Sequence, residues 1–202
     1  MINLKSTAAS LFIFFVLIAS GCANFQKQAQ DVPTKKYSAT LFFKDTDSNE
    51  IHDSLADIIN NKRNLLILKS SGGNLESAMA FYDTIKYVVH RDLTVVGVGQ
   101  VSSAAVIMFC AGEKRLIGKN SYMLLHNVKT TYKEKPTEND KKEGSDQKMI
   151  LELLYAEIVS ETTNGKITPA QVKDMMDKST TLTAQEVVKM GIATGLLDEE
   201  SL

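Results

Sequence analysis

Two short apolar runs, each stopped by a glycine-containing turn and separated by one amphipathic segment, limit what this chain can fold into. "NLLILKSS", from Asn64 to Ser71, opens on the unbroken stretch Leu65 to Leu68 and stops at Gly72-Gly73. "LTVVGVGQ", from Leu93 to Gln100, repeats the pattern. A strand without polar alternation is buried on both faces, as in a parallel sheet covered by helices. Between the runs, Leu75, Met79, Tyr82, Ile85 and Val89 recur at spacings of three and four and mark a helical apolar face.

The flanking segments extend this order. "KYSATLFFK" predicts a strand, and "SNEIHDSLADIINNK" predicts a helix with Ile51, Leu55, Ile58 and Ile59 on one face. After the second apolar run, "SSAAVIMFCAG" predicts a helix closed by Gly112, and "KRLIGKNSYMLLH" predicts two short strands around a Gly-Lys-Asn turn. "MILELLYAEIVSETTNG" predicts a long helix from Met149; two more follow, opened by Thr168-Pro169 and by Thr183. Alternating strands and helices imply a parallel sheet with right-handed crossovers. The "SSGGN" and "GQVSSA" turns then leave neighbouring strands at the same edge, where such sheets bind ligands.

Length and charge bound the rest. The 202 residues, 44% hydrophobic, fit one domain with appendages, expected over 37–202. Basic and acidic side chains number 23 and 24 and are interspersed, so no nucleic-acid surface is expected. The densest charge, from Tyr132 to Lys148, mixes both signs, and the stretch from Lys129 to Lys148 reads as a solvated polar loop. At the N-terminus, Lys5 precedes the apolar "AASLFIFFVLIAS", too short to span a membrane convincingly, and "ASGC" follows, ending at Cys22. These are the parts of a signal peptide over 1–21, with a polar tether over 22–36. The other cysteine, Cys110, lies in an apolar run and reads as a small buried hydrophobe.

A serine hydroxyl needs a base to take its proton and donors to hold the oxyanion it creates. Gly72 and Gly73 can turn amide hydrogens toward the crevice. The Ala104 amide lies in the first turn of its helix, without an intrahelical acceptor, so the Gly73 and Ala104 amides can hold an oxyanion together. Of the three histidines, His52 and His90 sit in structural helix positions, whereas His126 closes the strand "YMLLH" near the serine turn. Read by themselves, these residues fit a catalytic pair or a helix cap beside a surface histidine equally well.

The ordered motifs resemble the proteolytic subunit of the Clp protease, in the ClpP/crotonase superfamily, over roughly residues 40 to 198. "LKSSGGNLESAMAFYDT" is similar to that family's SPGG turn and helix, "GQVSSAAVIMFCAG" to its GQAASMGA turn, "NSYMLLH" to its NSRxMIH, and "LTAQEVVKMGIATGLLD" to its closing LSAxEAxxYGLVD. The resemblance implies an α/β fold, a ClpP/crotonase-type spiral of repeated ββα-like units with a parallel sheet and a C-terminal helical segment. It implies Ser103 as nucleophile, His126 as base, the Gly73 and Ala104 amides as oxyanion hole, and Gly72, Asn74 and Asn127 as substrate-binding positions. No cofactor and no metal are implied. The family's proline in SPGG is Ser71 here, and its catalytic aspartate position falls on Ser179. Asp177 or Asp174 from a neighbouring turn, or Ser179 or Asn127 as a neutral partner, are the candidates to orient His126.

"ASGC" likewise resembles the lipobox of bacterial lipoproteins, with Ala19 where that family has a larger aliphatic residue. This implies lipidation at Cys22 and a domain exported to the periplasm on a membrane anchor. The expected function is an envelope serine peptidase acting on peptides or unfolded chains, homo-oligomeric and without a Clp ATPase partner. The alternatives are an inactive scaffold of the same fold that binds peptides, and, well behind, an acyl-CoA enzyme of the crotonase type.

Overall fold

The computed structural model describes residues 38–202 apart from 91, 131 and 133 and the side chain of Phe43. The expected signal peptide, Cys22 and the tether lie outside the described residues. Seven strands form one sheet: β1 (Ala39–Phe43), β2 (Leu65–Ser70), β3 (Thr94–Ser102), β4 (Lys114–Ile117), β5 (Tyr122–Leu125), β6 (Thr180–Thr183) and β7 (Gly195–Leu196). The helices are α1 (Ser48–Asn60), α2 (Leu75–Asp83), which runs on through a π-helical turn at Thr84–Val88, α3 (Ala104–Cys110), α4 (Glu138–Thr162), α5 (Pro169–Asp177) and α6 (Ala184–Met190). The sheet is parallel in the order β1-β2-β3-β4-β7, as the unalternating runs require.

β3 changes partner along its length. Thr94–Gly97 pairs with β4, and Gln100–Ser102 pairs with β5, both in parallel. Between the two pairings the Gly99 amide donates to the Ser121 hydroxyl at 2.8 Å, which satisfies a backbone group that neither ladder reaches. β6 closes the outer side as the sheet's one antiparallel neighbour, with Leu125 opposite Thr180. The core lies between sheet and helices. Every residue of α3 is buried, packed among Phe42, Leu66, Leu68, Phe81 and Tyr155. Cys110 is among them, as its apolar neighbours predict.

The expected loop from Lys129 to Lys148 is a helix over its second half. α4 begins at Glu138 and not at Met149, because Thr137 and Asp140 cap it reciprocally: the Thr137 hydroxyl accepts from the Asp140 amide, and the Asp140 carboxylate accepts from the Thr137 amide. Interspersed charge is also what a solvated helix face carries, and Lys141 pairs with Glu138 one turn away. Among the described residues no helix is long and apolar enough to cross a membrane.

Arg115 ties three helix ends together. Its guanidinium, 8% exposed, donates to the carbonyls of Gly112 beyond α3 (2.9 Å), Thr162 at the end of α4 (3.1 Å) and Ile192 beyond α6 (2.8 Å). The Thr162 carbonyl, as a terminal one, has no intrahelical donor, and the partial negative charge at a helix C-terminus favours a cation. Arg115→Met should cost about 3 kcal/mol, because buried carbonyls lose charged donors. For a chain of this size that is a fall in Tm of roughly 10 °C. Arg115→Lys, which keeps the charge but not the planar fork, should fall between the two in thermal denaturation.

Candidate active site

Parallel pairing brings the C-terminal ends of β2, β3 and β5 to one edge of the sheet. Ser70 is in register with Val101, and Ser102 with Leu124, so the residues that follow these strands meet. They line a cleft of about 640 Å³ that holds Gly72, Gly73, Asn74, Ser103 and His126.

Ser102 and Ser103 differ sharply in their surroundings. Ser102 is buried, and its hydroxyl accepts from the Gln100 side chain at 3.1 Å. Ser103 occupies the N-cap position of α3, yet its side chain makes no capping bond. Its φ of 55° and ψ of −128° are sparsely populated for a residue with a Cβ, a strain of about 1–3 kcal/mol. The surroundings hold it there: its amide donates to the Leu124 carbonyl at 2.9 Å, and the buried Tyr155 hydroxyl donates to its carbonyl at 3.4 Å. The hydroxyl therefore faces the cleft without a capping duty.

The two glycines allow the turns to meet. Gly72 has φ 106°, and a Cβ there would stand 2.5 Å from the Ser103 Cβ and 3.1 Å from its Oγ. Gly73 has φ 147°, and a Cβ there would stand 2.4 Å from the carbonyl oxygen of Thr46. Thr46 donates its amide to the Gly72 carbonyl at 2.7 Å and accepts from the Asn74 amide, so it clamps the turn from both sides. The Asn74 side chain caps α2 by accepting from the Ser77 amide at 2.8 Å. Ala104 is the first residue of α3, and its amide precedes any acceptor within that helix.

His126 follows β5, and its Nδ1 lies 2.7 Å from the carbonyl oxygen of Asn127. Asp177, expected as a candidate partner for this ring, lies elsewhere. Its carboxylate accepts from the Asn127 side-chain amide at 2.9 Å and from Lys173, and among the described residues no hydrogen bond joins it to His126. The cause is position: Lys173 stands one turn before Asp177 on α5 and captures its carboxylate. The Lys173 ammonium and the Asn127 amide together hold Asp177 below the usual aspartate range. Asp174 pairs with Lys178. Asn127, expected to bind substrate, turns its side chain to Asp177 and Lys173 and does not line the glycine cleft. Ser179 has φ 51° and lines, with His126 and Asn127, a second depression.

Two residues at the site went unnoticed in the sequence. Glu152 is 6% exposed; it accepts from the Val128 amide at 3.0 Å and faces Lys148 and Lys173 at 3.8 and 3.5 Å. Its signal was a carboxylate among the apolar residues of "MILELLY" with a lysine one turn before it. Thr46 carried no such signal. Cys110, by contrast, is fully buried away from the cleft lining, and burial pushes its thiol up to about 11. Among the described residues no group of three or more His, Cys, Asp or Glu is arranged to hold a metal ion.

Residues 39–200 match the family described as Clp protease. The chain belongs to the Clp protease family. It is 30% identical over 139 residues to ATP-dependent Clp protease proteolytic subunit 1 of Corynebacterium glutamicum, covering 68% of this chain and 65% of that one. With the subunit 1 of Leifsonia xyli subsp. xyli it is 33% identical over 153 residues, covering 73% and 75%. Among solved structures, a ClpP1 mutant from Listeria monocytogenes superposes with a TM-score of 0.66 at 19% identity, over 80% of this chain and 92% of that one, and so shares the fold. The chain spans just under two thirds of the length of the Corynebacterium relative. For this Clp-family member the mixed α/β fold expected from the motifs is the one observed.

Two measurements check this geometry. Gly73→Ala should lower stability by at least about 1–3 kcal/mol from backbone strain alone, with the Thr46 clash added, in chemical denaturation. Asp177 has a depressed pKa in the fold, so its stabilisation is full above the unfolded value and is lost as pH falls through the folded one. Stability should therefore drop on acidification below about pH 4, with a smaller drop in that range for Asp177→Asn.

Proposed function

We propose that this chain is a serine-type endopeptidase of the cell envelope, with Ser103 as nucleophile and His126 as base. The observation that carries the reading is Ser103 itself: a strained residue at a helix cap position, with its hydroxyl released from capping and turned into a cleft that His126 also lines. His126 Nε2 takes the Ser103 proton, and the alkoxide attacks a peptide carbonyl. The tetrahedral oxyanion is held by the Gly73 and Ala104 amides. His126 then returns the proton to the leaving amine, and a water activated by the same ring releases the acyl group.

The location rests on the first 22 residues: a positive start, a short apolar stretch and "ASGC" support export and a lipid on Cys22, with the domain in the periplasm. An exported domain is separated from cytoplasmic ATP, so substrates are short or unfolded peptides that enter the cleft unaided by a Clp ATPase. Met149, Ile150, Leu153 and Leu154 on α4 are 42–57% exposed and support association with further copies of the chain. A second reading, an inactive peptide-binding scaffold, draws on Asp177 being bonded away from His126.

Fluorophosphonate labelling of the full chain in detergent micelles separates the two. Labelling should vanish in Ser103→Ala and slow by about 10³-fold or more in His126→Ala. Folded wild-type protein that takes no label makes the scaffold the better reading. Metabolic labelling with palmitate should mark the wild type and leave Cys22→Ser unmarked.

A further inference from the structure

In a serine triad the third member keeps the imidazole in the tautomer with hydrogen on Nδ1 and stabilises the imidazolium that forms. Here that role is open, with Ser179 at the family's aspartate position and Asp177 held by Lys173 and Asn127. The group that meets Nδ1 of His126 is the Asn127 carbonyl, at 2.7 Å. A carbonyl only accepts, so this bond requires hydrogen on Nδ1 and leaves the Nε2 lone pair for the Ser103 proton.

The peptide unit that carries this carbonyl also carries the Val128 amide, which donates to the Glu152 carboxylate at 3.0 Å. A trans peptide is planar, and its C=O and N–H point in opposite directions. Anchoring the N–H on Glu152 therefore aims the C=O at the imidazole. The two bonds also run in series, from Nδ1–H to O=C and from N–H to carboxylate, so the charge of Glu152 polarises the peptide and strengthens the bond to the ring. Glu152 is 6% exposed on the rigid α4, with Lys148 and Lys173 supplying countercharge. Asp177 and Lys173 grip the Asn127 side chain and restrain the same unit from its other end.

We propose that Glu152 is the positioning residue of this site, acting on His126 through the 127–128 peptide in place of a triad aspartate. The inference rests on the reading of His126 as the base, but the tautomer can be measured whether or not the protein cleaves anything.

The test uses the full chain carrying ¹⁵N-histidine in detergent micelles, with the His126 ring pattern read by NMR and the fluorophosphonate labelling rate read in parallel. Wild-type His126 should carry its hydrogen on Nδ1. Glu152→Met should shift the ring toward the Nε2–H form and slow labelling by about 10²-fold, the cost of a misaimed catalytic group. Glu152→Gln can still accept from the Val128 amide, so it should keep the Nδ1–H form while losing about fivefold to tenfold in rate with the charge. A ring that rests as Nε2–H in the wild type overturns the proposal, as does a Glu152→Met protein with wild-type tautomer and rate. If Glu152→Met does not fold, Glu152→Gln decides, and an undiminished rate counts against Glu152. Absent labelling of a wild type whose ring is Nδ1–H removes the peptidase reading and upholds the arrangement of the ring.

Discussion

The cleft depends on two missing Cβ atoms. The turn after β2 and the turn after β3 can touch only because Gly72 leaves room for Ser103, and the first turn can close on Thr46 only because Gly73 leaves room for a carbonyl. Both glycines hold φ values that side chains rarely adopt. A larger residue at Gly72 pushes the two turns apart, and one at Gly73 pushes the first turn off Thr46. The turn is held by these glycines and by the Thr46 clamp, which pairs on both sides of it.

Around that contact, the strain at Ser103 is balanced by groups deep in the fold. Its backbone is bonded to β5 on one side and to Tyr155 of α4 on the other. α4 therefore serves the site twice, through Tyr155 at the serine and through Glu152 at the histidine segment, and these residues stand on one buried face three positions apart. The same helix ends at the Arg115 clasp, where one guanidinium meets the Thr162 carbonyl and those of Gly112 and Ile192 in the segments just beyond α3 and α6. The long helix is thus anchored at one end by a buried cation and along its length by the site it supports.

Much of this was legible in the residues. The unbroken apolar runs marked β2 and β3, the glycine turns marked the edge at which the cleft lies, and the spacing of Leu75, Met79 and Tyr82 marked α2. The start of α4 was misread because mixed charge is common to loops and to solvated helix faces; the deciding signal was the short-range pair Thr137 and Asp140. Asp177 was misread because chain distance to the expected aspartate position says nothing about which cation lies nearer, and Lys173, one turn away on the same helix, reaches it first.

By itself the sequence determined most of the local elements and the parallel character of the sheet, since these follow from periodicity and glycine placement, and it left Ser103 and His126 readable as a catalytic pair or as a cap beside a surface histidine. Only the tertiary structure decided which groups touch. That Ser103 is freed from capping, that Asn127 turns its carbonyl back to the neighbouring His126 ring, and that Glu152 reaches the Val128 amide 24 residues away are set by how distant segments pack. Such approach depends on the packing of α4 against α3 and α5, and no local pattern of residues encodes the direction in which a single peptide unit points.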